Sequence, residues 1–277
     1  MPEIAYVNGE FVPLDRALVH VEDRGYQFAD AVYEVIRTYG GRPFALAEHL
    51  DRLWRSLDAI QLAPNFTRDQ LAGLIGEALC RAAFPEAMVY LQVSRGQARR
   101  HRGIPASYAP TLVITVRALP DSTKLRAEGI ACITVPDIRW GRCDIKSVGL
   151  LANVLAYAEA KRAGAHDAIF VEADGTVNEA TAGNVFLFQA GKLITPAKGP
   201  KLLAGITRDK LLVAAPFPTV ERRVTKTELL GADELFLSST TAEVVPVCQV
   251  DGRPIGDGRP GKLSAELYTA FVRRFVG

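Results

Sequence analysis

Residues 137–184 read DIRWGRCDIKSVGLLANVLAYAEAKRAGAHDAIFVEADGTVNEATAGN, and the prediction of the fold depends on this stretch. Apolar residues recur in it at helical spacing, which predicts a buried helix that ends near Gly164. An apolar run at 168–171 and the two-residue turn Asp174-Gly175 then predict a β-hairpin. The apolar helical positions are Leu151, Val154, Leu155 and Ala158.

Two ionisable residues flank these elements. Lys146 stands before the helix among apolar neighbours, and Glu179 stands near the far end of the second hairpin strand. A lysine and a carboxylate at such positions are ordinarily solvated. A lysine held among apolar groups, however, loses preference for its charged form and can act as the amine nucleophile of Schiff-base chemistry. The rest of the chain has to supply partners for either role.

Composition excludes several classes of protein. The 277 residues, 48% of them hydrophobic, suit two modest domains or one large α/β unit, and the net charge of +2 gives no nucleic-acid signature. No apolar run reaches membrane-spanning length and the N-terminus lacks a signal-peptide pattern, so we expect a cytoplasmic protein without membrane partners.

The four cysteines are scattered and predict neither disulfides nor a metal site. Motifs for dinucleotides, P-loops, zinc hydrolases and α/β-hydrolases are absent.

Other elements follow from local patterns. Asn8-Gly9 predicts an opening hairpin, and leucines at helical spacing predict a helix that begins near Leu46. The stretch ALPDST, which ends at Thr123, is the best linker. We therefore expect a smaller N-terminal α/β domain at 1–118, a linker at 119–123 and a larger C-terminal α/β domain at 124–277.

Four polar features lie outside the central stretch. Arg52 borders the apolar face of its helix, where it either extends to solvent or places a charge in a site. The run RGQARRHR at 95–102 is either a solvated loop or an anion site. Gly205 and Thr207 at a helix start expose backbone N–H groups. The hydroxyls of residues 238–241 suit either a phosphate or an ordinary polar loop.

Taken together, these segments resemble the fold-type IV pyridoxal-phosphate enzymes, and within them the D-amino acid aminotransferases, over nearly the whole chain. The resemblance implies an α/β (α+β) fold of two domains with the cofactor between them and the lysine on the C-terminal one. It also implies a homodimer whose sites lie near the subunit interface. The segments that carry it are DRGYQFADAVYEVIR (23–37), EHLDRL (48–53), VSRGQARRHR (93–102), DIRWGRCDIKS (137–147), NEATAGNVF (178–186), GITRD (205–209) and DELFLSSTTAEVVPV (233–247).

The resemblance also implies residue roles. Lys146 would bond covalently to pyridoxal 5′-phosphate and shuttle a proton between the substrate Cα and the cofactor C4′. Glu179 would bond the pyridine nitrogen, and Leu203 would pack against the ring. The phosphate would be held by Arg52, Ile206, Thr207, Ser239 and Thr240. The substrate would be held by Tyr33, Arg100, His101, Arg102 and Thr241.

Two departures from the family pattern stand out. In the loop that would bind the substrate carboxylate, the resemblance leads us to expect an arginine, then any residue, then a histidine. Here Arg100 is followed directly by His101 and then by Arg102. The additional cation could favour dicarboxylic substrates. The second departure is EATAGN at 179–184, where several serines are usual.

Four functions remain open on the sequence. The first is transamination between D-amino acids and 2-oxo acids, as in D-alanine plus 2-oxoglutarate giving pyruvate plus D-glutamate. The second is a branched-chain L-amino acid aminotransferase, and the third is a lyase of the aminodeoxychorismate type. A non-catalytic binding protein on the same fold is disfavoured because Lys146 and Glu179 are both present.

Overall fold

The chain forms two mixed α/β units in the computed structural model, which describes residues 3–277. The first unit contains the chain up to Pro120 together with Ile145–Gly149, and the second contains Asp121–Asp144 and Leu150–Gly277. The segment that contains Lys146 thus groups with the first unit. The domain boundaries given above stay a prediction. The predicted mixed α/β class is confirmed.

The first unit is built on one sheet of six strands. Its strands are β1 (Ile4–Val7), β2 (Glu10–Pro13), β3 (Ala31–Tyr39), β4 (Arg42–Pro43), β5 (Ala87–Ser94) and β6 (Thr111–Ala118), in the order β2-β1-β6-β5-β3-β4. Its helices are α1 (Arg24–Phe28), α2 (Leu46–Ala59) and α3 (Arg68–Ala82), and Leu14–Arg16 is a 3₁₀ turn. Helix α2 buries Leu50, Leu53 and Leu57 in the core that this sheet shares with α3, as its apolar spacing predicts.

The second unit contains a mixed sheet of ten strands. They are β7 (Ile130–Pro136), β8 (Asp167–Val171), β9 (Thr176–Ala180), β10 (Asn184–Gln189), β11 (Lys192–Thr195), β12 (Thr219–Glu221), β13 (Val224–Thr225), β14 (Glu234–Ser239), β15 (Glu243–Val250) and β16 (Arg253–Pro254). The main order is β12-β11-β10-β14-β15-β7-β8-β9-β13, and β10 also pairs with β9. The helices are α4 (Thr123–Glu128), α5 (Leu151–Arg162), α6 (Ile206–Ala214), α7 (Lys226–Leu230) and α8 (Lys262–Phe275).

Helix α5 lies with its small residues inward. It crosses between the parallel strands β7 and β8, and it buries Ala156 and Ala160 against them. Leu151 and Leu155 are exposed by 71% and 54%. The prediction that these leucines face the core is wrong, because the alanine side lets the helix approach the sheet closely.

No helix within residues 3–277 is long and apolar enough to cross a membrane.

Candidate active site

The backbone around Lys146 is fixed against the first unit. Tyr33 at the start of β3 donates its N–H to the carbonyl of Lys146 at 3.0 Å, and Val148 donates to Ala31 at 3.2 Å. The N–H of Lys146 donates to Oγ of Ser56 on α2 at 3.2 Å. These bonds place Ile145–Gly149 beside β3, although the segment lies more than fifty residues beyond β5 in the sequence.

The side chain of Lys146 lies over an aromatic pair. Its Nζ is 4.2 Å from the ring centroid of Tyr33, and Tyr33 stacks on Tyr90 at 5.6 Å. Burial, with a smaller effect of Tyr33, raises the pKa of Tyr90 to about 12, so Tyr90 remains a neutral phenol. The structure therefore brings together Lys146 and Tyr33, two of the residues predicted to act in the site.

Arg52 is buried in an ion pair that the sequence analysis did not foresee. Its Nε and Nη2 donate to the two carboxylate oxygens of Glu34 at 2.7 and 2.8 Å. Nδ1 of His49 lies 2.7 Å from the same carboxylate. Because a guanidinium is a rigid planar fork, this two-bond pairing fixes the plane of the Arg52 guanidinium.

The charges of Arg52, Glu34 and His49 and their burial fix the protonation states of Glu34 and His49. Burial raises the pKa of Glu34, but Arg52 and His49 outweigh it and bring the pKa to about 2. Burial lowers the pKa of His49, Arg52 and Lys146 lower it further, and Glu34 only partly offsets them. At neutral pH His49 is therefore a neutral imidazole that donates from Nδ1 to the Glu34 carboxylate.

The sequence around Glu34 contains a pattern that predicts its buried cationic partner. In the strand AVYEVIR the side chains alternate between two faces, and Glu34 shares its face with Val32 and Ile36. All three are fully buried. A charge in the middle of a core face needs a buried partner of opposite sign, which predicts a cation close by.

The basic run at 95–102 divides into a structural part and an exposed part. Arg95 is buried and donates to both oxygens of Asp30 at 2.8 and 3.0 Å, so it is a structural residue. Arg100 is exposed, with its guanidinium 4.6 Å from the ring centroid of Phe28. His101 and Arg102 are exposed as well. Their predicted contact with substrate stays a prediction.

Glu179 lies in the second unit on β9 and is only 7% exposed. One oxygen, Oε2, accepts the N–H of Leu203 at 3.1 Å and the side-chain amide of Asn184 at 3.3 Å. The other, Oε1, accepts from Nη1 of Arg139. A carboxylate with these donors is held in one rotamer as an anion.

Strand register aligns further polar groups with Glu179. Asn184 on β10 pairs with Glu179 on β9 and with Ser238 on β14. Residues directly opposite in antiparallel strands point to the same face of a sheet, so these three side chains share one face. Oγ of Ser238 is buried there without a hydrogen-bond partner in the part of the chain that the structure describes. Neither Asn184 nor Arg139 was given a role from the sequence.

The start of α6 lies next to Asn184 of β10. Gly205 is its N-cap, no side chain within residues 3–277 caps the helix, and Ile206 and Thr207, which begin it, are buried. The first N–H groups of a helix have no partner within it. A Cβ at Gly205 would overlap Oδ1 of Asn184, so a larger residue there would displace the Asn184 amide or the helix start.

The four consecutive hydroxyl residues lie at the end of β14 and in the turn that follows. Ser239 accepts the N–H of Ala242 at 3.2 Å, which makes its Oγ part of the turn. Thr240 and Thr241 are half-buried. No group of three or more His, Cys, Asp or Glu side chains within residues 3–277 could hold a metal ion.

Residues 31–250 match the family described as amino-transferase class IV, a span that includes Lys146, Glu179 and both groups of residues around them. The chain belongs to the class IV aminotransferases. The predictions of an aminotransferase and of the fold-type IV family are thereby confirmed.

Relatives of this aminotransferase cover almost its whole length. It is 40% identical over 266 residues to the D-alanine aminotransferase of Bacillus licheniformis, covering 95% of this chain and 94% of the relative. The branched-chain amino acid aminotransferase of Escherichia coli has a TM-score of 0.92 at 27% identity, over 99% of this chain and 95% of the other. The branched-chain enzyme of Thermoproteus uzoniensis, in a structure with norvaline, has a TM-score of 0.88 at 25% identity, over 98% and 93%.

The donor set in the second unit of this aminotransferase fits a phosphorylated pyridine. The carboxylate of Glu179 suits a protonated ring nitrogen. The open N-terminus of α6, with the hydroxyl of Thr207, suits a phosphate. The buried Oγ of Ser238, which has no partner within residues 3–277, is a further polar atom on the same face as Glu179.

Proposed function

We propose that this aminotransferase depends on pyridoxal 5′-phosphate and moves amino groups between D-amino acids and 2-oxo acids, as in D-alanine plus 2-oxoglutarate giving pyruvate plus D-glutamate. The observation that carries the proposal is the 40% identity to a D-alanine aminotransferase over 95% of the chain. The position of Lys146 over Tyr33 and the burial of Glu179 support the same chemistry.

In this proposal Lys146 is the reactive residue. When bound, pyridoxal phosphate supplies the electron sink that the reaction needs. Nζ of Lys146 would bond the cofactor and would carry the proton between the substrate Cα and C4′. The carboxylate of Glu179 would hold a proton at the pyridine nitrogen, and Leu203 would pack against the ring.

The phosphate is assigned to a guanidinium, backbone N–H groups and hydroxyls. Arg52 contributes a guanidinium that Glu34 and His49 already orient. Ile206 and Thr207 contribute N–H groups from the start of α6. The hydroxyls are those of Thr207, Ser239 and Thr240.

The substrate carboxylates are assigned to a second group. Tyr33 and Arg100 bind the α-carboxylate, since a guanidinium can take both of its oxygens at once. Arg102 adds a second cation beside His101, which suits the side-chain carboxylate of D-glutamate and 2-oxoglutarate. Thr241 completes this group. The enzyme is proposed to work as a homodimer, and a cytoplasmic location stays a prediction of the sequence.

The test is a single-turnover spectrum of purified protein reconstituted with pyridoxal phosphate. We expect D-alanine to bleach the absorbance of the lysine-bound cofactor, and L-alanine and L-leucine to leave it unchanged. A Lys146→Ala variant saturated with the cofactor should lose transamination by at least about 10³-fold, because it has neither the covalent link nor the proton carrier. Substantial turnover by that variant would contradict the assignment of Lys146.

A second function has one observation in its favour. The solved structures similar to this chain include the branched-chain aminotransferase of Escherichia coli, at a TM-score of 0.92. Bleaching by L-leucine and not by D-alanine would leave the cofactor assignment intact and move the substrate class to branched-chain L-amino acids.

A further inference from the structure

A buried cluster of three charged side chains includes Glu179, and the proposed function uses only that one. Arg139 donates from Nε to Oδ1 of Asp137 at 3.0 Å and from Nη2 to Oδ2 at 2.7 Å. Its remaining terminal nitrogen, Nη1, donates to Glu179. The guanidinium therefore bridges two carboxylates, which contact different edges of its plane.

The surroundings leave Arg139 a single position. Nη2 also donates to the carbonyl of Lys201 at 2.9 Å, and the guanidinium carbon lies 4.3 Å from the ring centroid of Phe170. The side chain is 5% exposed. A planar cation stacked on a ring and bonded along its edges can move only if several contacts break together.

Asp137 is in turn held from its own side. Its side chain is fully inaccessible to solvent, and it accepts from the amide of Asn178 at 2.7 Å and from the backbone N–H of Arg139 at 3.1 Å. Asn178 also donates to Glu172 at 2.9 Å. Asp137 follows β7, where its own N–H donates to Val171 at 2.9 Å, so it is anchored to the sheet.

The formal charges of the cluster sum to minus one when Glu179 is counted as a carboxylate. Burial raises the pKa of Asp137, but Arg139 and Asn178 outweigh it and lower the pKa below its ordinary value. Burial lowers the pKa of Arg139, and Asp137 with Glu179 outweighs it and raises the pKa. Asp137 is therefore a carboxylate and Arg139 a guanidinium cation at neutral pH.

Three further titratable groups face the cluster. Burial raises the pKa of Cys143, so this thiol stays neutral. Lys201 and Glu172 form an ion pair at 3.3 Å and cancel each other. The cluster thus keeps its own charge of minus one.

We propose that Arg139 is a positioning residue that fixes Glu179 in the rotamer that bonds the cofactor ring, and that Asp137 balances its charge so that Glu179 still keeps the ring nitrogen protonated. The inference rests on the proposed function. If Glu179 were paired with a cation alone, its carboxylate would stabilise the proton at the ring nitrogen less strongly. Without the cation, Asp137 and Glu179 would be two carboxylates in one buried site. The cluster of Asp137, Arg139 and Glu179 holds the carboxylate in a fixed geometry. Its one net negative charge complements the single positive charge of a protonated ring nitrogen.

Two variants separate the charge from the positioning. Asp137→Asn keeps Arg139 but removes a negative charge, so the cluster becomes neutral. Asp137→Asn combined with Arg139→Gln removes one charge of each sign, so the net charge stays at minus one while the bridge to Glu179 is lost. Removing both partners of a buried pair avoids an uncompensated charge, and thermal unfolding of the cofactor-free proteins checks that each variant folds.

Two measurements report the two effects. The first is the ¹⁵N resonance of the ring nitrogen of labelled pyridoxal phosphate bound to the protein, followed between pH 6 and 9. The second is the dissociation constant of the cofactor in reconstitution titrations. We expect Asp137→Asn to move the resonance toward the deprotonated position, with a midpoint that falls by about one pH unit. We expect the double variant to keep the protonated resonance and to bind the cofactor about tenfold more weakly, as for loss of an orienting partner of a ligand.

A nearby exposed ion pair provides the matched control. Arg142 and Asp144 form a similar two-bond pair, also two residues apart, at 2.9 Å for each bond, with side chains exposed by 51% and 39%. Arg142→Gln combined with Asp144→Asn should change neither measurement.

The outcomes distinguish the two proposals. If the unaltered protein binds the cofactor and transaminates D-alanine, but both variants match it in resonance and affinity, the role of Arg139 and Asp137 is overturned and the proposed function stands. If the unaltered protein does not bind pyridoxal phosphate, both proposals fall.

Discussion

Glu34 shows how one residue couples folding to the site. Its carboxylate lies at a fully buried position of β3 and accepts two bonds from Arg52. Without that cation the strand would bury an unpaired charge, which proteins rarely tolerate. The residue that the proposed function assigns to the phosphate is thus also the residue that makes this strand stable.

Replacing Glu34 should therefore destabilise the protein in a pH-dependent way. The pKa of Glu34 is about 2, against an ordinary value of 4.5. Its contribution to the free energy of unfolding is fully present above about pH 4.5 and is lost as the pH falls toward 2. We expect Glu34→Gln to cost about 3 kcal/mol at pH 7 in urea unfolding, and the difference to shrink through that acidic window.

The exposed pair of Glu77 and Arg81 provides the control for that experiment. Both side chains are about half exposed, so Glu77→Gln should change the free energy of unfolding by less than about 0.5 kcal/mol. A cost for Glu34→Gln that stayed constant down to pH 2 would contradict the lowered pKa of Glu34.

Arg100 permits a second test at the level of one side chain. If its guanidinium binds the substrate α-carboxylate, Arg100→Ala should lower kcat/KM for D-alanine by about 30-fold or more, the effect of a charged hydrogen bond. Cofactor affinity should remain within about twofold, because Arg100 is not assigned to the phosphate. Steady-state kinetics and reconstitution titrations measure the two effects.

Its neighbour Arg99 is also exposed, and Arg99→Ala is the control. Equal losses in the two variants would indicate a general effect of positive charge in the loop. Unchanged kinetics for Arg100→Ala would place the carboxylate site elsewhere.

Among the elements, α6 gives the sharpest test, because its start depends on one glycine. A Cβ at Gly205 would overlap the side chain of Asn184, which itself bonds Glu179 and Leu203. Gly205→Ala must therefore move either the start of α6 or the Asn184 amide that bonds Glu179 and Leu203. We expect cofactor affinity to fall about tenfold or more in reconstitution titrations, since N–H donors have to lie within hydrogen-bond distance of the phosphate.

Gly76 in α3 is the matched control, with open space where its Cβ would be. Gly76→Ala should stabilise the protein by about 0.5–1 kcal/mol through helix propensity and leave cofactor affinity unchanged. If Gly205→Ala binds the cofactor as tightly as the unaltered protein, the start of α6 is not part of the phosphate site.

The same elements show which parts of the structure were predictable from the sequence. The hairpins at Asn8-Gly9 and Asp174-Gly175 were predicted because their turns depend on neighbouring residues alone. The pairing of Ile145–Gly149 with β3 was not, since nothing local to Lys146 identifies a strand far away in the sequence. The site residues came from the family resemblance, and their supports Glu34, Arg139 and Asn184 were missed because each acts through a long-range partner.

Helix α5 marks the limit of periodicity as a signal. Its sequence has both a small face and a large apolar face, and spacing alone cannot tell which face meets the sheet. The small residues meet it, because a helix that connects two parallel strands packs close to them. The large apolar side chains are left exposed in the single chain.

For the molecule as a whole, these exposed side chains argue for a second copy of the chain. Leu151 is 71% exposed, and Val154, which is 59% exposed, lies beside it on the exposed face of α5. Clustered apolar residues on a surface mark interaction sites more often than single ones do. A homodimer, as the family resemblance implies, would bury this face of α5.

We therefore predict that the enzyme sediments as a dimer and that α5 contributes to its interface. Sedimentation velocity over a range of concentrations should give twice the mass of one chain. Leu151→Lys combined with Val154→Lys should weaken the dimer by at least about tenfold, because two charges would be buried without partners. Val213→Lys, a similarly exposed position on α6, is the control and should leave the dimer intact. A monomer at every concentration would show the homodimer prediction to be wrong, whereas an unaltered dimer in the double variant would exclude α5 from the interface.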